Sequence, residues 1–166
     1  RSTIVERIAS LDASFLLHQI AGHRPAEHRT LTAHPKVHAT DTGLAAWAAR
    51  MDDNPSSALF GAIVETFVVN ELVAQAGWLH GGPVVRHWRD TAKKLEVDAV
   101  VLQNDGRSLA VEVKASVDVR SDDLRGVRAY LASVAGATRG IVFYTGEKTL
   151  RLDEKIWAVP ISALWG

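Results

Sequence analysis

Apolar residues recur at helical spacing through Ile4, Val5, Ile8, Leu11, Phe15 and Leu16, so the first twenty positions predict one amphipathic helix. Gly22 and Pro25 end that pattern. From 21 to 40 the periodicity is lost, and His23, His28, His34 and His38 follow His18 in a stretch that predicts a loop or weak hairpin. It closes on a short strand, Lys36-Val37-His38-Ala39. Asp41 or Thr42 then caps a brief helix through Leu44, Ala45, Trp47 and Ala48. Residues 51–57 are polar, include Pro55, and read as the joint between a small N-terminal helical/linker lobe (1–54) and a main domain (55–166).

Within the main domain, residues 56–77 are helical in period and apolar almost all round, the pattern of a buried helix. Gly81-Gly82-Pro83 turns the chain into three strands, 84–88, 97–102 and 109–115, the last two joined by the hairpin turn Asn104-Asp105-Gly106. Ser121 or Asp122 caps a helix running to about 135. Strands at 140–144 and 156–159 follow, the first ending in Thr145-Gly146. The order α-β-β-β-α-β predicts an α/β fold, a mixed sheet with helices on its faces.

At 166 residues and 47% hydrophobic, the chain has enough apolar material for one compact domain with a small extra lobe. The absence of cysteine excludes disulfides, thiolate metal sites and cysteine nucleophiles, and fits a cytoplasmic protein. No run approaches about 18 uninterrupted apolar residues and no leader opens the chain, so no membrane partner is expected. The start at Arg1 reads as that of a fragment. With 19 basic and 19 acidic residues, any nucleic-acid binding must rest on a local patch. No glycine-rich phosphate loop is present, so these residues should not bind ATP themselves.

Chemistry concentrates on two strands. Asp98 and Glu112 lie on neighbours in one sheet, and Lys114 follows Glu112 at the spacing that keeps both on one face. Cross-strand charge pairing, worth about 0.2–1 kcal/mol, is the plain alternative. Against it, Val97, Ala99, Val101, Val111, Val113 and Ala115 make the opposite face apolar, so these are core strands whose charges need partners or a cleft. On the preceding helix Glu65 falls inside the apolar arc, between Val69 and Leu72, where a carboxylate needs a cation or donor; Arg86 or Arg89 are structural candidates. Glu71 and Glu96 are further acids near the same elements. Two or three carboxylates and an ammonium together suit a divalent cation and an attacked phosphate.

Basic residues that suit a phosphate backbone are Arg86, Arg89, Lys93, Lys94, Arg120 and Arg125, with Arg128 beyond them. A solvated charged face is the alternative for each. The histidines lack the regular spacing of a zinc site and read as loop residues. The five tryptophans are scattered and read as packing.

The series Pro35 to Leu44, Gly61 to Leu72, Arg86-His87-Trp88-Arg89-Asp90, Glu96-Val97-Asp98, Glu112-Val113-Lys114 and Val159-Pro160-Ile161 resembles one prokaryotic family. That family is the C-terminal domain of a large group of AAA-type ATPases, a domain of unknown function with a fold similar to restriction endonucleases of the PD-(D/E)xK superfamily. The resemblance runs from about Pro35 to the end, and the segment before it resembles the linker that follows the ATPase. It implies a restriction-endonuclease-like core in which Asp98 and Glu112 bind Mg2+ or Mn2+, Glu65 assists, and Lys114 orients water or stabilises the charged transition state. Val97 stands where the nuclease motif has proline.

Two function classes follow. The first is a metal-dependent nuclease module hydrolysing nucleic acid. The second is a non-catalytic nucleic-acid-binding, regulatory or interaction domain of the ATPase. Both imply an upstream ATPase domain in the same chain, through which alone ATP would act, and both allow a homo-oligomer.

Overall fold

The first helix, α1 (Ser2–Ala13), stops earlier than its apolar spacing predicts. Phe15 adopts a left-handed φ of 58°, and the amides of Phe15 and Leu16 turn back to the carbonyls of Asp12 and Leu11, which closes the helix. The chain then leaves extended as β1 (Leu17–Ile20), which pairs antiparallel with β2 (Lys36–Ala39), His18 opposite His38. Long-range pairing thus overrides the local helical period. Ile4 and Val5, which the helical period placed on an apolar face, stay exposed. The computed structural model describes residues 2–24, 34–51, 54 and 57–165. His28, Pro25 and most of the polar joint lie outside the described residues.

Asp41 accepts the amide of Leu44 at 2.6 Å and starts α2 (Thr42–Ala48), as its position before the apolar run predicts. Ser57 caps α3 (Ala58–Trp78) through the amide of Phe60. By length and composition α3 is apolar enough to cross a membrane, yet here it lies along a sheet. Val68 and Val69 are wholly buried, but Leu59 and Phe67 are more than a third exposed. The expected all-round burial is therefore not met, because the sheet covers one side only.

The sheet strands are β3 (Val84–Asp90), β4 (Leu95–Leu102), β5 (Ser108–Lys114), β6 (Ala137–Tyr144), β7 (Leu150–Arg151) and β8 (Ile156–Pro160). Their spatial order is β3-β4-β5-β6-β8-β7. β3, β4 and β5 form an antiparallel meander, while β6 runs parallel to both β5 and β8, so the sheet is mixed. A 3-10 turn (Ser121–Leu124) and α4 (Arg125–Ser133) make the crossover from β5 to β6. The predicted α-β-β-β-α-β order is the one found, with the short β7 added at an edge.

Each sheet face has its own core. Leu124, Val127 and Tyr130 of the crossover pack on Trp88, Val97, Val100, Ala110, Val142 and Ile156. On the other face Val68 and Val69 of α3 pack on Val85, Ala99, Val111, Val113 and Phe143. Gly126 lets α4 approach β4 closely, since a Cβ there would fall 1.8 Å from the carbonyl oxygen of Glu96.

One irregularity positions the site. Arg86 pairs with Val100 and Trp88 with Val97, so Asp98 and Ala99 together oppose His87 alone. This β-bulge turns Val97 to the α4 side with Val100, whereas Ala99 faces α3. The simple alternation that placed Val97 on one apolar face with Ala99 and Val111 is corrected by it.

Candidate functional site

β4 and β5 pair as far as Ala99 opposite Val111 and then part. Beyond that point the carboxylate of Asp98 takes the role of a strand neighbour, its Oδ2 accepting the amide of Val113 at 2.9 Å. Asp98 is 5% exposed and Glu112, just across the fork, is 8% exposed. By alternation from Ala110, Glu112 and Lys114 project to the α4 side. Glu65 reaches the fork from α3.

Two ion-pair groups meet there. On the α3 side Lys36 Nζ lies 2.7 Å from Glu65 Oε1 and 3.0 Å from Asp98 Oδ1. On the α4 side Lys114 Nζ lies 2.9 Å from Glu112 Oε1 and 3.7 Å from Asp123 Oδ1 of the 3-10 turn. Asp98 joins the two, because the amide it accepts belongs to the residue between Glu112 and Lys114. Glu112 Oε2 is buried and has no hydrogen-bond partner among the described residues.

The electrostatics follow from burial. Desolvation, then the negative charge of Asp98, pushes the Glu112 carboxyl up to about 8, against the pull of Lys114. Burial and Asp98 likewise raise Glu65, with Lys36 opposing. Burial alone would lower the Lys36 ammonium, but Asp98 and Glu65 together outweigh it and hold its pKa well above the ordinary lysine value. For Lys114 burial also acts downward, and Glu112 and Asp123 override it upward. The site is therefore rich in carboxylate and relies on two lysines to offset it.

Behind Lys36 sits a group of imidazoles. His38 is buried, its Nδ1 shares a hydrogen bond with Thr66 Oγ1 at 3.2 Å, and its ring lies 5.7 Å from that of His18. His18 Nε2 donates to Asn70 Oδ1 at 2.6 Å, while Asn70 Nδ2 donates to the carbonyl of Ala39 at 2.9 Å. Asn70 thus fixes the β1–β2 hairpin against α3 and so fixes Lys36. Burial first, and then the positive charges of Lys36 and His18, push His38 down to about 4.

The structure brings Glu65, Asp98, Glu112 and Lys114 to one fork. The structural partner expected for Glu65, Arg86 or Arg89, is replaced by Lys36. Glu96 turns instead to Arg89 at 3.4 Å, and Glu71 lines a cleft with Gln75, Trp78 and Trp165 at the far end of α3. Among the basic residues, Arg89 and Lys93 face Glu96 and Asp90 of their own hairpin, and Arg86 donates to the carbonyl of Val85. Lys94 is exposed with φ 53°; Arg120 and Arg125 flank the 3-10 turn that carries Asp123. Lys36 and Asp123 are the site residues that sequence reasoning missed. A signal for Lys36 existed: it stands two residues before a histidine on a strand, the same offset as Glu112 and Lys114.

The donors present are carboxylate oxygens, the ligand type hard divalent cations prefer, and the partnerless Glu112 Oε2 is an atom such a cation would satisfy. The donor chemistry therefore fits magnesium or manganese. As the side chains stand, no group of three or more His, Asp or Glu among the described residues is gathered to hold a metal. The ammonium of Lys36 takes the place between Glu65 and Asp98.

Compared with known proteins, residues 60–164 match the model of a family described as Domain of unknown function (DUF4143). No curated protein and no solved structure matches the chain.

Proposed function

The chain belongs to the DUF4143 family, whose domains occur in prokaryotic AAA-type ATPases, and from that premise we propose that the fork between β4 and β5 is a phosphodiester-hydrolysing site acting on nucleic acid. The observation that carries this reading is the gathering of two ion-pair groups, Glu65–Lys36–Asp98 and Glu112–Lys114, at one fork, together with a buried Glu112 oxygen that has no partner among the described residues. A fold core alone does not need four charges at the place where two central strands part.

In this reading Asp98 and Glu112, with Glu65 assisting, hold magnesium or manganese, which when bound polarises a phosphate and activates water. The remaining roles belong to the chain itself. Asp98 is oriented by the Val113 amide, which fixes one oxygen and leaves Oδ1 to face the site. Lys114 is held between Glu112 and Asp123, so its ammonium stands ready where negative charge develops on a phosphate, at little reorganisation cost. Arg120 and Arg125, which flank that turn, would meet a backbone phosphate beside it. Arg86, Arg89, Lys93 and Lys94 lie on the β3–β4 hairpin and would extend the contact along the polymer. ATP is handled by an upstream ATPase domain of the same chain, and a homo-oligomer is part of the same reading.

A second reading is favoured by Lys36, which neutralises Glu65 and Asp98 as they stand. It makes the domain a non-catalytic nucleic-acid-binding or regulatory part of the ATPase. The two are separated by incubating the protein with end-labelled single- and double-stranded DNA and RNA in magnesium or manganese. The hydrolytic reading expects metal-dependent products whose rate falls at least about a hundredfold in Glu112→Gln and in Lys114→Met. Intact polymers under all conditions, or cleavage that both variants keep, leave the second reading standing.

A further inference from the structure

The most unexpected atom in the molecule is Lys36 Nζ. It comes from the N-terminal hairpin, 62 residues before Asp98, and is only about a quarter exposed. It touches two carboxylates that are among the proposed cation ligands, Glu65 and Asp98. Lys36 is not left there by a loose side chain. Its strand is bound to α3 through Asn70, which donates to the carbonyls of Ala39 and Thr40, and through His38, which meets Thr66 one residue after Glu65. The hairpin is also tied to β3, where the amide of His87 donates to the carbonyl of Ala21 and its carbonyl accepts the amide of His23. Backbone and side-chain anchors therefore deliver one ammonium to one place.

We infer that Lys36 is the resident counter-ion of the Glu65–Asp98 pair and the group a divalent cation must displace to enter the site. The inference rests on the metal-binding part of the reading above. A monovalent ammonium and a divalent cation compete for the same oxygens, and in a site this dry they repel strongly, so both cannot be held at contact distance. Burial of Asp98 and Glu65 without any cation is costly, so the lysine stabilises the metal-free fold. Glu112 Oε2 has no hydrogen-bond partner among the described residues even with Lys36 and Lys114 in place, which leaves a carboxyl oxygen that the incoming ion would satisfy as it displaces any proton there. The N-terminal hairpin thereby sets the threshold metal concentration of the site, and any movement of that hairpin would change it.

The test is manganese binding, followed by calorimetry or by the EPR signal of free Mn2+, on the wild-type chain, Lys36→Met, and Lys155→Met as an exposed charge control. The expected result is a dissociation constant at least about tenfold lower for Lys36→Met, with Lys155→Met like wild type. Manganese should also raise the unfolding temperature of Lys36→Met more than that of wild type. Should Lys36→Met fail to fold, Glu65→Gln is compared with Glu65→Gln/Lys36→Met, a double variant that keeps the local charge balance; the double variant is expected to bind more tightly. Equal or weaker manganese binding once Lys36 is removed overturns the inference and leaves the metal site standing. Absence of binding in all variants overturns both. Tighter binding in Lys36→Met with no cleavage of any polymer upholds the role of Lys36 and removes the hydrolytic reading alone.

Discussion

His38 stands two residues beyond Lys36 on the same strand face, buried and held neutral by its surroundings. Its depressed pKa gives a signed stability effect. Above pH 6.5 the imidazole is neutral in folded and unfolded chains alike; below it the unfolded chain takes up a proton that the folded one refuses until about pH 4. Stability from this group is therefore lost as pH falls through that window, by at most about 3 kcal/mol. Urea unfolding of wild type and His38→Gln between pH 7 and 4 should show a shallower acid slope for the variant. Parallel slopes would mean that His38 is not kept neutral by the fold. At this scale the carboxylates were legible in the sequence. Glu65 interrupted an apolar arc, and the Glu-x-Lys step put Glu112 and Lys114 on one face. For Lys36 the strand pattern shows only that it shares a face with His38, because nothing local to a four-residue strand says which distant carboxylates it will meet.

Among the elements, α3 and α4 show how sharply packing discriminates between glycines. A methyl group on Gly126 would strike the carbonyl of Glu96 at 1.8 Å, a backbone atom that cannot swing aside. Gly126→Ala should therefore cost about 2–4 kcal/mol in chemical denaturation. Gly61 in α3 has nothing within 4 Å of its would-be Cβ, so Gly61→Ala should instead stabilise by about 0.5–1 kcal/mol through helix propensity. Equal effects at the two sites would contradict the close α4–β4 approach. The strands β2, β3, β4, β5, β6 and β8, both main helices and the Asn104-Asp105-Gly106 turn were readable from period and turn chemistry, while β1 and the short edge strand β7 were not. The end of α1 was not, since Phe15 and Leu16 continue its apolar spacing while long-range pairing of β1 with β2 decides the outcome. Nor was the bulge at Asp98 and Ala99, a two-against-one mismatch that exists only once β3 and β4 are paired.

For the whole molecule, a formal net charge of zero conceals a polarised interior. Glu65, Asp98, Glu112 and Asp123 converge on Lys36 and Lys114 at one end of the sheet, with the first lysine supplied by the N-terminal hairpin and the second by a central strand. The β1–β2 hairpin and α3 supply charges from one side of the sheet and the 3-10 turn before α4 from the other, so the charge cluster is built by the fold as a whole rather than by one motif. The sequence placed the acids and the sheet, while the completion of the site by the N-terminal hairpin belongs to tertiary structure. The decisive property of the fork is whether these carboxylates accept a divalent cation in exchange for Lys36. The most direct measurement is a crystal structure of the wild-type chain soaked in manganese, with anomalous scattering recorded at a wavelength where manganese contributes. The expected result is an anomalous peak against the carboxylates of Asp98 and Glu112, with Lys36 Nζ withdrawn from Asp98. Lys36 still bridging Glu65 and Asp98, with no peak at the fork at any manganese concentration the crystals tolerate, would contradict it.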